Sequence, residues 1–267
     1  MSKKRKITLA VLSVAACFIG VWHVSKIPYY KPATEQKGFT VENHADDTIR
    51  IAYIGDSWAA RHSRMPKVLD TLLSSVTGKD VIVRDAGISG LNSKDIYYSI
   101  FYDDDVRSAI EWGPDFCFVS AGINDTDRKV GSTCYKENMR LIIKTLLQHR
   151  ITPVILEIPH YDISYAFWHR SRIVQFRAVR SMLWTLSSLN CIDAYTRSYN
   201  ELLAEQHWQQ CVITIRRDDW NPEGYKDARN LYVEDRMHLN EKGYYTLDSC
   251  IAVKIGSSLS STRSIWP

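Results

Sequence analysis

Five short runs, Arg50–Ile54, Asp80–Arg84, Asp115–Ser120, Thr152–Glu157 and Cys191–Ala194, combine apolar and β-prone residues and are each bounded by Gly, Pro, Asn or Asp. That pattern predicts strands. Between them the stretches Met65–Val76, Asp103–Trp112, Cys134–Arg150, Phe167–Leu189 and Arg197–Gln209 predict helices. In Cys134–Arg150 the apolar Met139, Ile142, Ile143, Leu146 and Leu147 recur at helical spacing and make one buried stripe. Strands alternating with helices of this length imply an α/β fold, a three-layer α/β/α sandwich around a mainly parallel five-stranded sheet. No internal repeat or low-complexity tract interrupts the series.

The N-terminus has a different pattern. Lys3, Lys4, Arg5 and Lys6 precede Ile7–Val24, eighteen residues with no charge unless His23 is protonated. A bilayer span needs roughly 20 apolar residues, and a basic flank stays cytoplasmic. Residues 1–24 are therefore expected to be a membrane anchor or signal segment that places the rest of the chain outside the cytoplasm, periplasmic or at the cell surface. Two rival readings are a cleaved secretory signal and a lipoprotein signal, since Val14, Ala15, Ala16 and Cys17 loosely fit a lipobox. Residues 25–47 are polar, include Pro28 and Pro32, and read as a linker. The folded domain is expected over 48–267.

Composition narrows the function. At 267 residues, 45% apolar and 24% charged, the chain suits one α/β domain. The four N-terminal cations account for the formal charge of +4, so the remainder is electrically balanced and nucleic acid is not an expected partner. Outside the N-terminal segment the cysteines are Cys117, Cys134, Cys191, Cys211 and Cys250. No C-x-x-C spacing or Cys/His cluster suggests a metal, and no cofactor is implied. Export would permit a disulfide among these five, without fixing which.

The chemistry begins at Gly55, Asp56 and Ser57, where an apolar strand stops and leaves a serine at its carboxyl end. Ligands of open α/β sheets bind at that edge. Gly87 to Gly90 and Gly122 to Asp125 come directly after further strands, and Asp235 to His238 brings a carboxylate and an imidazole three residues apart. A serine hydroxyl needs such a base to attack at neutral pH.

These four segments, in this order over roughly Arg50 to Tyr244, resemble the SGNH (GDSL-type) hydrolase family. The resemblance implies a flavodoxin-like sheet, Ser57 as nucleophile, His238 as base and Asp235 as its orienting carboxylate. It also implies an oxyanion hole from the backbone N–H groups of Ser57 and Gly90 and the amide of Asn124. Trp58 stands where the family leads one to expect a leucine or another aliphatic residue, and Leu239 where many members have proline; Asn240, Gly243 and Tyr244 fit the familiar continuation.

Other residues carry two readings each. Asp56 either caps the following helix or reaches the site, Gly87 reads as a tight turn, and Asp125 as a brace for its own loop. Trp58, His160 and Trp168 are candidate substrate contacts, the last two within the aromatic stretch Pro159–Arg170; Arg216–Tyr232 is a candidate second wall of the cleft. His62 and His169 have no partner in sequence. The expected activity is that of an exported, membrane-anchored serine esterase removing acetyl or another short acyl group from a cell-envelope or extracellular carbohydrate, with the membrane met through the N-terminal helix. Transfer of the acyl group to a sugar hydroxyl, lipase or thioesterase action, and a catalytically silent glycan-binding module are the alternatives.

Overall fold

A computed structural model describes residues 3–24 and 30–260. The chain divides into two units, residues 1–32 and 33–267. The first holds helix α1, Lys3–Val24. Among the described residues no helix is long and apolar enough to cross a membrane. The anchoring helix expected over residues 1–24 is therefore not supported. Four of its residues, Lys3, Lys4, Arg5 and Lys6, are cations that a hydrocarbon core does not accept, and the eighteen uncharged residues after them fall short of the roughly 20 that a span needs.

The second unit is a parallel sheet of order β2-β1-β3-β4-β5, with β1 at Ile49–Gly55, β2 at Val81–Gly87, β3 at Phe116–Ser120, β4 at Thr152–Leu156 and β5 at Ile213–Ile215. Its helices are α2 (Ser57–His62), α3 (Leu69–Thr77), α4 (Ser93–Tyr102), α5 (Asp104–Glu111), α6 (Ile123–Arg128), α7 (Ser132–Gln148), α8 (Ile163–Trp168), α9 (Arg172–Thr185), α10 (Ile192–Glu205), α11 (Arg217–Trp220) and α12 (Glu241–Ser260). Strands β3 and β4 are buried throughout, because helices cover both faces. Edge strand β2 alternates in exposure. The three-layer α/β/α architecture and the strand order 2-1-3-4-5 match the expectation.

Four of the five expected strands form. The fifth does not: Cys191–Ala194 opens α10, whose Ile192, Tyr195, Tyr199, Leu202 and Leu203 are buried at helical spacing. The fifth strand is instead the three-residue β5, paired to β4 alone. The helix expected over Phe167–Leu189 breaks into α8 and α9 around 169–171.

Residues 33–47, read as linker, lie against the domain without regular structure. Ala33 N donates to Asn138 Oδ1 at 2.8 Å, Gln36 N to Tyr97 Oη at 2.7 Å, and Glu42 N to the Glu111 carbonyl at 2.8 Å. Phe39 is buried edge-on to Phe101 and stacked on His149.

The register assembles the site. Gly55 at the end of β1 is level with Gly87 on β2 and with Ser120 on β3. The three segments that carry Ser57, Gly90 and Asn124 therefore leave the sheet side by side.

Candidate active site

Asp56 starts α2 by accepting from Trp58 N at 3.0 Å, an N-cap that satisfies one of the open amides of the first turn. Its Oδ1 also accepts from Ser120 Oγ at 2.8 Å, joining β1 to β3, while Oδ2 has no partner among the described residues. Asp56 is thus a buried cap, and burial pushes its carboxyl up to about 7. Ser57, the first residue of α2, stays partly exposed.

Ser57 Oγ and His238 Nε2 are 2.9 Å apart, and His238 Nδ1 lies 2.7 Å from Asp235 Oδ2. A carboxylate only accepts, so Nδ1 carries the proton and Nε2 is left to accept from the serine. Burial lowers the His238 pKa, outweighing Asp235, with Arg61 and Arg170 pushing the same way. A neutral imidazole facing a hydroxyl can act as a general base near pH 7.

Asp235 is itself fixed. Its Oδ1 accepts from the N–H groups of Met237 and His238, both at 2.9 Å, closing a local turn. Burial pushes its carboxyl up, but the bonds from His238 and Met237 prevail and hold it below the usual range. The Arg61 guanidinium, one helical turn after Ser57, approaches Asp235 Oδ2 at 3.9 Å.

Asn124 Nδ2 donates to the Leu91 carbonyl at 2.9 Å, which ties the segment after β3 to the loop after β2. One amide hydrogen is used and the second remains. Gly90 has φ +86°, a conformation that side-chain-bearing residues seldom take, and its carbonyl accepts from Arg128 Nη2 at 2.5 Å. Asp125, fully buried and raised to about 6 by burial, accepts from Ser93 N at 2.8 Å and Ser93 Oγ at 2.6 Å. It braces the start of α4 as well as its own loop. Gly87 is the last residue of β2, not a turn: a Cβ there would lie 2.1 Å from Ala60 N, so glycine is what lets α2 sit against the strand.

The three candidate substrate contacts are not brought to Ser57 together. Trp58 is fully buried and donates through Nε1 to the Met237 carbonyl at 3.1 Å, with Trp220 and Tyr232 edge-on to it. It is core, and an open acyl pocket is not where it points. Trp220 from the Arg216–Tyr232 stretch packs behind it, so that stretch supports the base loop from inside. His160 is drawn against the 3₁₀ turn Gly224–Lys226, its carbonyl accepting from Tyr225 N at 3.0 Å. Trp168, at the end of α8, stands in solvent beside Phe167.

Two features were missed in the sequence. Arg61 approaches Asp235, Arg128 holds the Gly90 carbonyl, and Arg170, paired with Asp127, acts on His238 through its charge; Arg61 could have been found as the residue four after Ser57, on the same helix face. His62 is buried between two carboxylates, Asp85 Oδ1 at 2.5 Å and Asp248 at 3.2 Å, which with burial opposing hold its pKa up at about 9. Among the described residues no cluster of His, Cys, Asp and Glu could hold a metal, and Cys17, Cys117, Cys134, Cys191 and Cys250 form no disulfide.

The geometry finds its counterpart in known proteins. The model of the GDSL-like lipase/acylhydrolase family matches residues 53–245. No curated protein matches the chain. Among solved structures, a lipase/acylhydrolase from Enterococcus faecalis aligns with TM-score 0.55 at 18% identity, covering 81% of this chain and 100% of that one. The acetylxylan esterase Axe2 from Geobacillus stearothermophilus aligns with TM-score 0.53 at 16% identity, covering 80% and 97%. The acetyl xylan esterase AlAXEase aligns with TM-score 0.51 at 21% identity, covering 79% and 100%. These likenesses establish a shared fold, and the family match over most of the domain establishes that this chain belongs to the GDSL-like lipase/acylhydrolase family of ester hydrolases.

Proposed function

We propose that the chain is an exported serine esterase that removes acetyl or another short acyl group from a cell-envelope or extracellular carbohydrate. The observation that carries the reading is the unbroken relay from Ser57 Oγ to His238 Nε2 and from His238 Nδ1 to Asp235. Ser57 Oγ attacks the ester carbonyl as His238 Nε2 takes its proton; the imidazolium then protonates the leaving alkoxide, and water repeats the cycle on the acyl-serine. Negative charge on the carbonyl oxygen faces the N–H groups of Ser57 and Gly90 and the remaining amide hydrogen of Asn124. Loss of one such donor costs about 3 kcal/mol in the barrier.

The carbohydrate part draws on two acetylxylan esterases among the structures that share the fold. Export draws on the Lys3–Lys6 tetrad ahead of the apolar run in α1.

Turnover of p-nitrophenyl acetate and of acetylated xylan by the full chain tests the reading. Ser57→Ala, His238→Ala and the double variant should lose nearly the same activity, because a broken relay cannot be broken twice. Additive losses would remove the relay. Release of acetate from the small ester but not from any acetylated glycan would remove the carbohydrate. Resistance of the domain to protease added outside the cytoplasmic membrane would remove export.

A further inference from the structure

An oxyanion hole built on Gly90 has a weakness, because glycine holds its own backbone conformation less firmly than any other residue. The φ of +86° at Gly90 needs support from outside. That support comes from α6, which reaches the chain after β2 at three points. Asn124 Nδ2 donates to the Leu91 carbonyl at 2.9 Å, Asp125 accepts from Ser93 N at 2.8 Å and from Ser93 Oγ at 2.6 Å, and Arg128 Nη2 donates to the Gly90 carbonyl at 2.5 Å. Of the three, Arg128 is the one that bonds Gly90 itself.

The guanidinium is placed from both sides. Its Nη1 lies 3.7 Å from Asp95 Oδ2, and Asp95 belongs to the capping box that starts α4. Behind it, Lys129 ends α6 in the left-handed region at φ +59°, with its side chain buried and its Nζ donating to the Leu189 carbonyl. A buried lysine thus fixes the end of α6, and the guanidinium spans from Gly90 to α4. A planar fork with fixed donor directions suits that bridge, whereas an ammonium is a point charge on a flexible stem.

We propose that Arg128 is a positioning residue of the oxyanion hole: by holding the Gly90 carbonyl it sets the aim of the Gly90 N–H, and it does so from one turn along the helix that carries the other side-chain donor, Asn124. The proposal rests on the serine-esterase mechanism above. Because the bond from Arg128 to Gly90 is made within the protein, its loss is felt where charge develops on the carbonyl oxygen and not in ground-state binding. A side chain that only bound substrate would do the reverse.

The test assays the full chain on p-nitrophenyl acetate, with Ser57→Ala as the measure of turnover that bypasses the serine. Arg128→Ala should lower kcat about 10- to 100-fold, with KM changed by less than about twofold. Arg128→Lys keeps the charge without the fork and should recover only part of the loss. Millimolar guanidinium chloride should restore Arg128→Ala by refilling the gap between Gly90 and Asp95, and should leave Asn124→Ala as it is. Arg128→Ala combined with Asn124→Ala should lose less than the product of the two single losses, since both act through one hole. A loss confined to KM would overturn the proposal, as would a lower melting temperature that accounts for the lost activity with no rescue by guanidinium. A wild type no faster than Ser57→Ala would overturn the serine mechanism and the proposal with it; a fast wild type matched by Arg128→Ala would overturn the proposal alone.

Discussion

Trp58 Nε1 donates to the carbonyl of Met237 at 3.1 Å, so the residue after the serine holds the residue before the histidine. The two are 179 positions apart in sequence, and the bond is buried. Tyr244 adds a second tie, its hydroxyl donating to the Trp58 carbonyl at 2.9 Å. The serine helix and the histidine loop are therefore set against each other by the indole, and the 2.9 Å separation of Ser57 and His238 depends on it.

Trp58→Phe keeps an aromatic ring in the core but leaves the buried Met237 carbonyl without its donor. The expected cost is about 1–3 kcal/mol in urea denaturation. Because the histidine loop loses its anchor, kcat should fall about tenfold or more with KM little changed. An unchanged kcat would show that Asp235 and the surrounding turn position His238 alone.

The pH profile of kcat/KM should have an acid limb below the ordinary imidazole value, since burial and the charges of Arg61 and Arg170 lower the His238 pKa. Activity is lost as pH falls through that value and His238 becomes protonated. Arg61→Gln removes a positive charge that disfavours the imidazolium, so the limb should move to higher pH, and salt should shrink the difference between the two proteins. Burial also pushes the Asp56 carboxyl, next to Ser57, up to about 7. The diagnostic is therefore the movement of the limb, and a limb that stays in place in Arg61→Gln would assign it elsewhere.

Legibility in the sequence is a matter of range. Strands β1, β3 and β4 are continuous apolar runs because both faces of a parallel sheet are covered, and Gly55, Gly90 and Asn124 fall at or just after strand ends. Strand β5 has three residues and one neighbour, so Ile213–Ile215 carries little signal, while Cys191 and Ile192 resemble a strand until Tyr195 and Tyr199 reveal the helical period. The burial of Trp58 depends on Met237, Trp220 and Tyr232, and the partners of His62 lie 23 and 186 residues away. Contacts of that span leave no local pattern.

His62 closes the helix that begins at Ser57 and links it to β2 through Asp85 and to α12 through Asp248. Removing it leaves the buried Asp248 and the half-buried Asp85 uncompensated, so His62→Ala should cost about 3–5 kcal/mol. Its folded pKa of about 9 lies above the unfolded 6.5. The stability it contributes is thus complete below 6.5 and lost as pH rises through about 9. Denaturation of wild type and His62→Ala across that window should show the gap closing as pH rises; a constant gap would mean that His62 is not charged in the fold.

The last prediction concerns where the catalytic unit begins. Phe39 is buried between Phe101 and His149, and the backbone of Ala33, Gln36 and Glu42 supplies donors to Asn138, Tyr97 and Glu111. A chain starting at Thr48 gives up all of these at once and exposes the patch that Phe39 covered. Phe39→Ala alone should cost about 3–5 kcal/mol through the lost ring and the cavity left behind. A chain starting at Thr48 should lose at least as much, melting about 6 °C or more below one starting at Ala33. Differential scanning calorimetry of the two checks it. Equal melting temperatures would make 33–47 an adherent linker, whereas the expected drop makes it part of the domain, and α4, α5 and α7, which it touches, would soften first in hydrogen exchange.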